Sequence, residues 1–298
     1  MKLQQLNEHC YVFTGAVNIG YCTRDGKGLL IDTGLDDSSI KKVEKILNQK
    51  GFPLDYCIIT HAHTDHFGGA SYLQKKLEIP LFAPSLEKSI LEHPILEPIY
   101  LFNGAKPIGE LRNKFLEGQA VNIDYEINTG NNTIGPFAFQ AIHLPGHSYA
   151  QVGILIEDIL YAADSYFGED VLKKHIIPFI VDADQTISSL EKLFELKCKG
   201  AVPGHGEFEE LFYHTVKQNI SLHNERLHTL LSLVNESGAG VSFENLSKNF
   251  LNIHGVFAKN IGQWLLFRTS ITAYLTSLER KKLIQFILKD NELMIVSA

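Results

Sequence analysis

His61-Ala62-His63-Thr64-Asp65-His66 places three imidazoles and a carboxylate within six residues, directly after an apolar run at 54–60 that reads as a buried strand. Side chains that leave a strand at alternate positions point the same way, so His61 and His63 can chelate one metal ion. Asp65 and His66 can then turn toward a neighbouring ion. Three shorter elements share this flavour: Leu144-Pro145-Gly146-His147-Ser148, Ala162-Ala163-Asp164-Ser165 and Pro203-Gly204-His205-Gly206. Each sets one metal-binding group at a strand end, beside small residues that let backbones approach closely.

Working outward, strands are expected at 10–14, 18–23 and 28–32, with Asp25-Gly26-Lys27-Gly28 as a hairpin turn. A helix follows to about residue 50, closed by Gly51 and Pro53. Segment 85–127, broken by Pro94, Pro98 and Pro107, reads as an insertion of short helices and loops lying like a lid over the site. Strands return at 133–144, 152–156 and 159–162, then a helix at 185–197. Two β-rich halves that each finish in helices imply two sheets face to face with helices outside, an α/β sandwich. Beyond residue 212 the pattern becomes mainly helical, at 216–235, 242–250 and 260–278, before a terminal hairpin at 283–288 and 293–296. Residues 213–298 carry nine Lys/Arg against six Asp/Glu, a net of +3, whereas 1–212 carry −10. This asymmetry places a boundary near 212, between a catalytic domain (1–212) and a winged-helix-like domain (213–298).

Composition narrows the function. The 298 residues are 45% hydrophobic and 20% charged, too apolar for disorder. A net charge of −7 argues against a surface that grips nucleic acid or anionic lipid throughout. No apolar run approaches the ~20 residues of a membrane span. The first residues lack a basic region followed by an apolar stretch, so a cytoplasmic location is expected. Cys10, Cys22, Cys57 and Cys198 form no CxxC pair and read as packed, reduced thiols.

Taken together, these elements make the chain resemble the metallo-β-lactamase fold superfamily of binuclear metallohydrolases, over roughly residues 1–210. The resemblance implies an αββα four-layer sandwich. It also implies that His61, His63 and His147 hold a first metal, that Asp65, His66 and His205 hold a second, and that Asp164 bridges the two. By the same resemblance Asp32, in Leu30-Ile31-Asp32-Thr33-Gly34, orients a ligand loop from behind. Two divalent cations suit these nitrogen and oxygen donors, zinc first, with iron or manganese also accepted. A hydroxide bridging them would attack an acyl or phosphoryl centre, with Asp65 able to take the proton of the bridging water, and no serine nucleophile is needed. Ser148 and Ser165 are accordingly read as loop residues.

The sequence departs from several branches of that superfamily. Aspartate at 164, where the best-known zinc β-lactamases use cysteine, argues against antibiotic hydrolysis. The expected reaction is hydrolysis of a small ester or thioester, as in glyoxalase II-like enzymes. An endoribonuclease or phosphodiesterase is the alternative, and an iron-dependent persulfide dioxygenase a third. A small-molecule substrate is expected, with nucleic acid less favoured, no membrane partner, and a homodimer left open. Substrate contacts are assigned to Tyr166, Phe167, Tyr100 and Phe102, with residues 103–112 as a weaker candidate, while Phe115 is read as packing. His93, His143 and His175 are read as structural or surface residues.

Overall fold

A computed structural model describes residues 1–298. The first half runs β1 (Lys2–Gln5), β2 (Cys10–Thr14), β3 (Ile19–Arg24), β4 (Lys27–Ile31), α1 (Asp37–Lys50), β5 (Tyr56–Ile58), α2 (Thr64–Phe67), α3 (Ala70–Leu77), β6 (Leu81–Pro84), α4 (Ser85–Glu92), α5 (Leu96–Leu101) and β7 (Tyr125–Ile127). The second runs β8 (Gly130–Ile134), β9 (Phe137–His143), β10 (Val152–Ile156), β11 (Ile159–Ala163), α6 (Glu169–Leu172), α7 (Ala183–Leu193) and β12 (Gly200–Pro203). The chain closes with α8 (Tyr213–Glu236), β13 (Val241–Ser242), α9 (Phe243–Ile253), α10 (Ile261–Arg280), β14 (Ile284–Lys289) and β15 (Glu292–Ser297).

β1 to β7 form one seven-stranded sheet in sequence order, and a five-stranded sheet is ordered β12-β11-β10-β9-β8. Strand alternation builds the layers. In β2, Cys10 and Val12 face the second sheet while Tyr11 and Phe13 face α1 and α3; in β4, Leu29 and Ile31 face inward and Leu30 outward. In β11, Ile159 and Tyr161 meet the first sheet, whereas Leu160 and Ala162 pack under α7 and α8. Where a strand is buried on both faces its residues are apolar, as at Cys10–Phe13, Leu29–Ile31 and Ile159–Ala163, and helices on both outer faces complete an αββα sandwich. Each large aliphatic side chain so buried contributes about 1.5–3 kcal/mol. α1 starts where Asp36 accepts from the Ser39 amide at 3.2 Å and stops at Gly51, whose φ of 67° closes the helix in the left-handed region.

Three details differ from the sequence reading. The long strand expected at 133–144 is a hairpin, β8 and β9, folded at Gly135 (φ 54°). Segment 85–127 holds the expected short helices and loops but also buries Val121 and Ile123 in the first core and ends as a strand, β7. The terminal hairpin is joined by β13, giving a three-stranded sheet ordered β13-β15-β14.

The last 86 residues are not a separate bead. α8 spans two cores: Val216 lies against the second sheet, while Leu227, Leu230 and Val234 pack with α9 and α10. That second cluster also takes in Ile177, Ile180 and Ala183, so the C-terminal helices cover the 176–183 loop. Arg226 Nε donates to the Ile176 carbonyl at 2.8 Å, and the Ile180 amide donates to Ser270 Oγ at 3.3 Å. No helix is long and apolar enough to cross a membrane.

His223, buried in α8, shares a 2.8 Å hydrogen bond with the Tyr274 hydroxyl. Burial, and secondarily the Arg226 cation, push its pKa down to about 4. The unfolded chain therefore binds this proton below about pH 6.5 while the folded chain does not. Stability is expected to fall by on the order of 3 kcal/mol as pH drops from 6.5 to 4. Denaturant melts of wild type and His223→Gln check this. Their difference should shrink or reverse across that window, and parallel curves would contradict it.

Candidate metal centre

The mouth of the sandwich, where strands of both sheets end, gathers seven side chains. Asp32 leaves the end of β4 with φ 64°, a strained conformation for a residue other than glycine, and is 3% exposed. Its carboxylate accepts from the Thr60 amide (2.8 Å), the Thr60 hydroxyl (2.9 Å) and His66 Nδ1 (2.8 Å). The Thr60 oxygen in turn faces His61 Nδ1 at 3.1 Å. With the hydroxyl proton committed to Asp32, His61 Nδ1 is the donor of that contact. Both imidazoles are therefore held with Nδ1 protonated and Nε2 turned into the site. Asp65 and His66 sit on the one-turn helix α2 rather than on a strand end. The Thr33 amide and hydroxyl, both donating to the His66 carbonyl, anchor that turn.

The second sheet supplies the rest. His147 Nδ1 donates to the Phe179 carbonyl at 2.9 Å and His205 Nδ1 to the Ala16 carbonyl at 2.7 Å, which again leaves Nε2 for the site. Asn18 steadies the His205 turn by donating to the carbonyls of Pro203 and Gly206. Asp164 follows Ala163, itself at φ 50°. Glycine at 204 is a spatial requirement, because a Cβ there would lie 1.8 Å from Asp164 Oδ1. Gly146 combines φ 127° with a Cβ direction blocked by Thr186.

Donor atoms within 4.8 Å of one another form three groups that could hold a metal ion: His61, His63 and His147; Asp65, His66 and His205; and His61, His66 and Asp164. Asp164 lies between the first two, with Oδ1 3.1 Å from His66 Nε2 and Oδ2 3.4 and 3.3 Å from Nε2 of His147 and His205. His63 Nδ1 faces His147 Nε2 at 2.7 Å. Burial keeps His61 well below the usual histidine pKa, His63 at about 4 and His147 at about 3, so all three are neutral donors. Burial works in the same direction at His205, but the Asp164 and Asp65 carboxylates outweigh it and raise the pKa to about 10. Asp65 is held at about 2, the pull of His66 and His205 overcoming its burial.

Above these donors opens a cavity of about 290 Å³. Its walls come from α10 (Gln263, Leu266, Phe267), from Phe115 and Leu116, and from Phe167 and Phe179. Neither lysine nor arginine lines it.

Of the four expected substrate contacts, only Phe167 lines this cavity. Tyr166 points the other way, 1% exposed and packed on Phe212, because successive residues leaving β11 face opposite sides. Phe102 packs on the Leu101, Leu111, Leu116 and Leu265 cluster. Tyr100 borders an outer groove beside His63, as does Asn103, and no residue of 103–112 reaches the inner cavity. His175, read as structural, stacks on Phe167 with ring centroids 5.5 Å apart and lines the cavity. Glu97, which lines the cavity, Glu87, buried behind the histidine turns, and the α10 wall carry no sequence signal, since charged and apolar residues at helical spacing read as an ordinary surface helix.

Residues 12–205 match the family model described as the metallo-beta-lactamase superfamily. The chain belongs to that superfamily. It is 28% identical over 155 residues to the probable metallo-hydrolase YqgX of Bacillus subtilis, covering 52% of this chain and 65% of YqgX. The chain spans 52–65% of the length of the first curated relatives it matches. The metallo-beta-lactamase family protein TTHA1429 of Thermus thermophilus superposes with a TM-score of 0.77 at 16% identity, covering 99% of this chain and 100% of its own. The DIM-1 metallo-beta-lactamase superposes with a TM-score of 0.54 at 17% identity, covering 75% of this chain and 97% of its own. At such identities the likeness is one of fold. Within the superfamily fold the donors described above occupy the strand-end mouth, and α10 adds a wall to it from the C-terminal region.

Proposed function

We propose that the protein is a binuclear metal-dependent hydrolase acting on a small ester or thioester. His61, His63 and His147 would hold one ion and Asp65, His66 and His205 a second, with Asp164 between them. The donor set fits such ions by its own chemistry. Nε2 of His61 is buried without a hydrogen-bond partner, and Nε2 of His66 and Oδ1 of Asp164, though 3.1 Å apart, are not aligned to form one, which is costly unless something charged completes them. Imidazole with carboxylate suits zinc, iron or manganese. Bound there, two divalent cations would supply Lewis acidity and bring the pKa of water from 15.7 to about 7.

The chain's own groups account for the remaining steps. Asp65 accepts the proton of the attacking water and returns it to the departing alcohol or thiol as the acyl C–O or C–S bond breaks. Phe167, Phe179, Leu266 and Phe267 exclude bulk water and hold an apolar acyl group. One observation favours this reading over a nuclease: the 290 Å³ cavity is walled by aromatic and aliphatic side chains and has no lysine or arginine to pair with a run of phosphates. Metal analysis with a substrate panel tests the proposal. Two ions per chain and turnover of short esters or thioesters are expected. Cleavage of single-stranded RNA without ester turnover would replace it with the nuclease, and oxygen uptake with a persulfide by the iron form with the dioxygenase. Phe267→Ala should favour longer acyl chains, raising the ratio of kcat/KM for long over short chains by about 10-fold.

A further inference from the structure

We propose that Glu87 is a positioning residue for the metal centre: its carboxylate ties the turn carrying His61 and His63 to the turn carrying His147, and so sets the span across which the three imidazoles meet. The inference rests on the metal-centre reading above. Glu87 projects from α4, is 2% exposed, and takes no part in the donor groups. Its Oε2 accepts from the Ala62 amide at 2.9 Å, between the first two histidines. Its Oε1 accepts from the Ser148 hydroxyl at 2.7 Å and from the Ala150 amide at 2.9 Å, directly after the third. The one backbone bond joining these two segments, Val152 amide to Thr60 carbonyl, lies on the strand side of the histidines. At the level of the donors themselves the turns meet twice: His63 Nδ1 faces His147 Nε2 at 2.7 Å, a contact that occupies donor atoms, and Glu87 ties the same turns while leaving every donor atom free. Its base is firm, since Ile90 and Leu91 of the same helix pack into the first core and the Leu91 carbonyl accepts from Val121.

The chemistry argues that this residue does more than fill space. A buried carboxylate is costly, and a leucine or methionine would serve packing better. What a carboxylate alone offers is two oxygens that accept three donors from two separate turns. The isostere Glu87→Gln keeps the volume but turns an NH₂ toward N–H or O–H donors on one side, which breaks the tie while preserving packing.

Titrating metal-stripped protein with Co²⁺, followed by visible absorption, separates positioning from packing. Glu87→Gln should weaken cobalt binding about 10- to 100-fold and shift the ligand-field bands. Ser148→Ala removes one of the three donors and should weaken it a few-fold. Wild-type affinity and bands in a folded Glu87→Gln protein would overturn the proposal. Should Glu87→Gln not fold, Ser148→Ala decides: altered bands support the tie, and unchanged bands with unchanged affinity make Glu87 purely structural. Wild-type protein that binds no cobalt would instead overturn the metal-centre reading beneath it.

Discussion

The Asp164→Ala variant is expected to lose hydrolysis by at least about 10³-fold and to keep at most one of the two metal ions. Removing a partner that merely orients a ligand costs 10–100-fold in affinity or activity, and Asp164 stands between both donor groups. Its two oxygens reach His66, His147 and His205 within 3.1–3.4 Å, which is the position the proposed two-metal centre needs for a shared carboxylate. The fold should persist, because Asp164 lies beyond the last β11 residue and both sheets close without it. Elemental analysis after gel filtration, circular dichroism and ester turnover check this. A variant with two ions and near-normal turnover would remove Asp164 from the centre.

The Asp32→Ala variant should be the most damaging single change to stability in this region, costing about 3–5 kcal/mol. Asp32 never faces the cavity. It satisfies the buried Thr60 amide and hydroxyl and His66 Nδ1, and alanine would leave the Thr60 amide and His66 Nδ1 without a partner and the Thr60 hydroxyl with His61 alone. His66 would also lose the contact that selects its tautomer, so second-ion affinity should drop a further 10- to 100-fold. Asp32→Asn should be intermediate: its carbonyl still serves the Thr60 amide while its NH₂ opposes a donor. Thermal melts of the metal-free proteins read the first effect and metal titrations the second. A Tm unchanged within about 1–2 °C would show that the network is dispensable.

How legible this site was depended on how local each cause is. The ligand elements could be read because each is a short motif whose residue types are improbable for other purposes: alternating histidines after a strand, or a lone histidine after Pro-Gly. Asp32 was legible through its strand-turn setting alone. The walls were not. Tyr166 and Phe167 are adjacent and equally aromatic, yet one enters the core against Phe212 and the other the cavity. That choice depends on the exact residue at which β11 ends. Glu87 sits in Ser-Leu-Glu-Lys-Ser-Ile-Leu-Glu, where a glutamate reads as a solvated helix face. It is buried because two turns from distant parts of the chain close over it.

The strands, the pairing of two sheets and the residue types of the candidate donors follow from the sequence, since period-two burial and ligand chemistry are written residue by residue. The tertiary structure alone decided which nitrogen of each imidazole faces inward, that α10 walls the cavity, and that its lining carries no lysine or arginine. Those properties arise from groups far apart in the chain meeting in space, a proximity that no local pattern encodes.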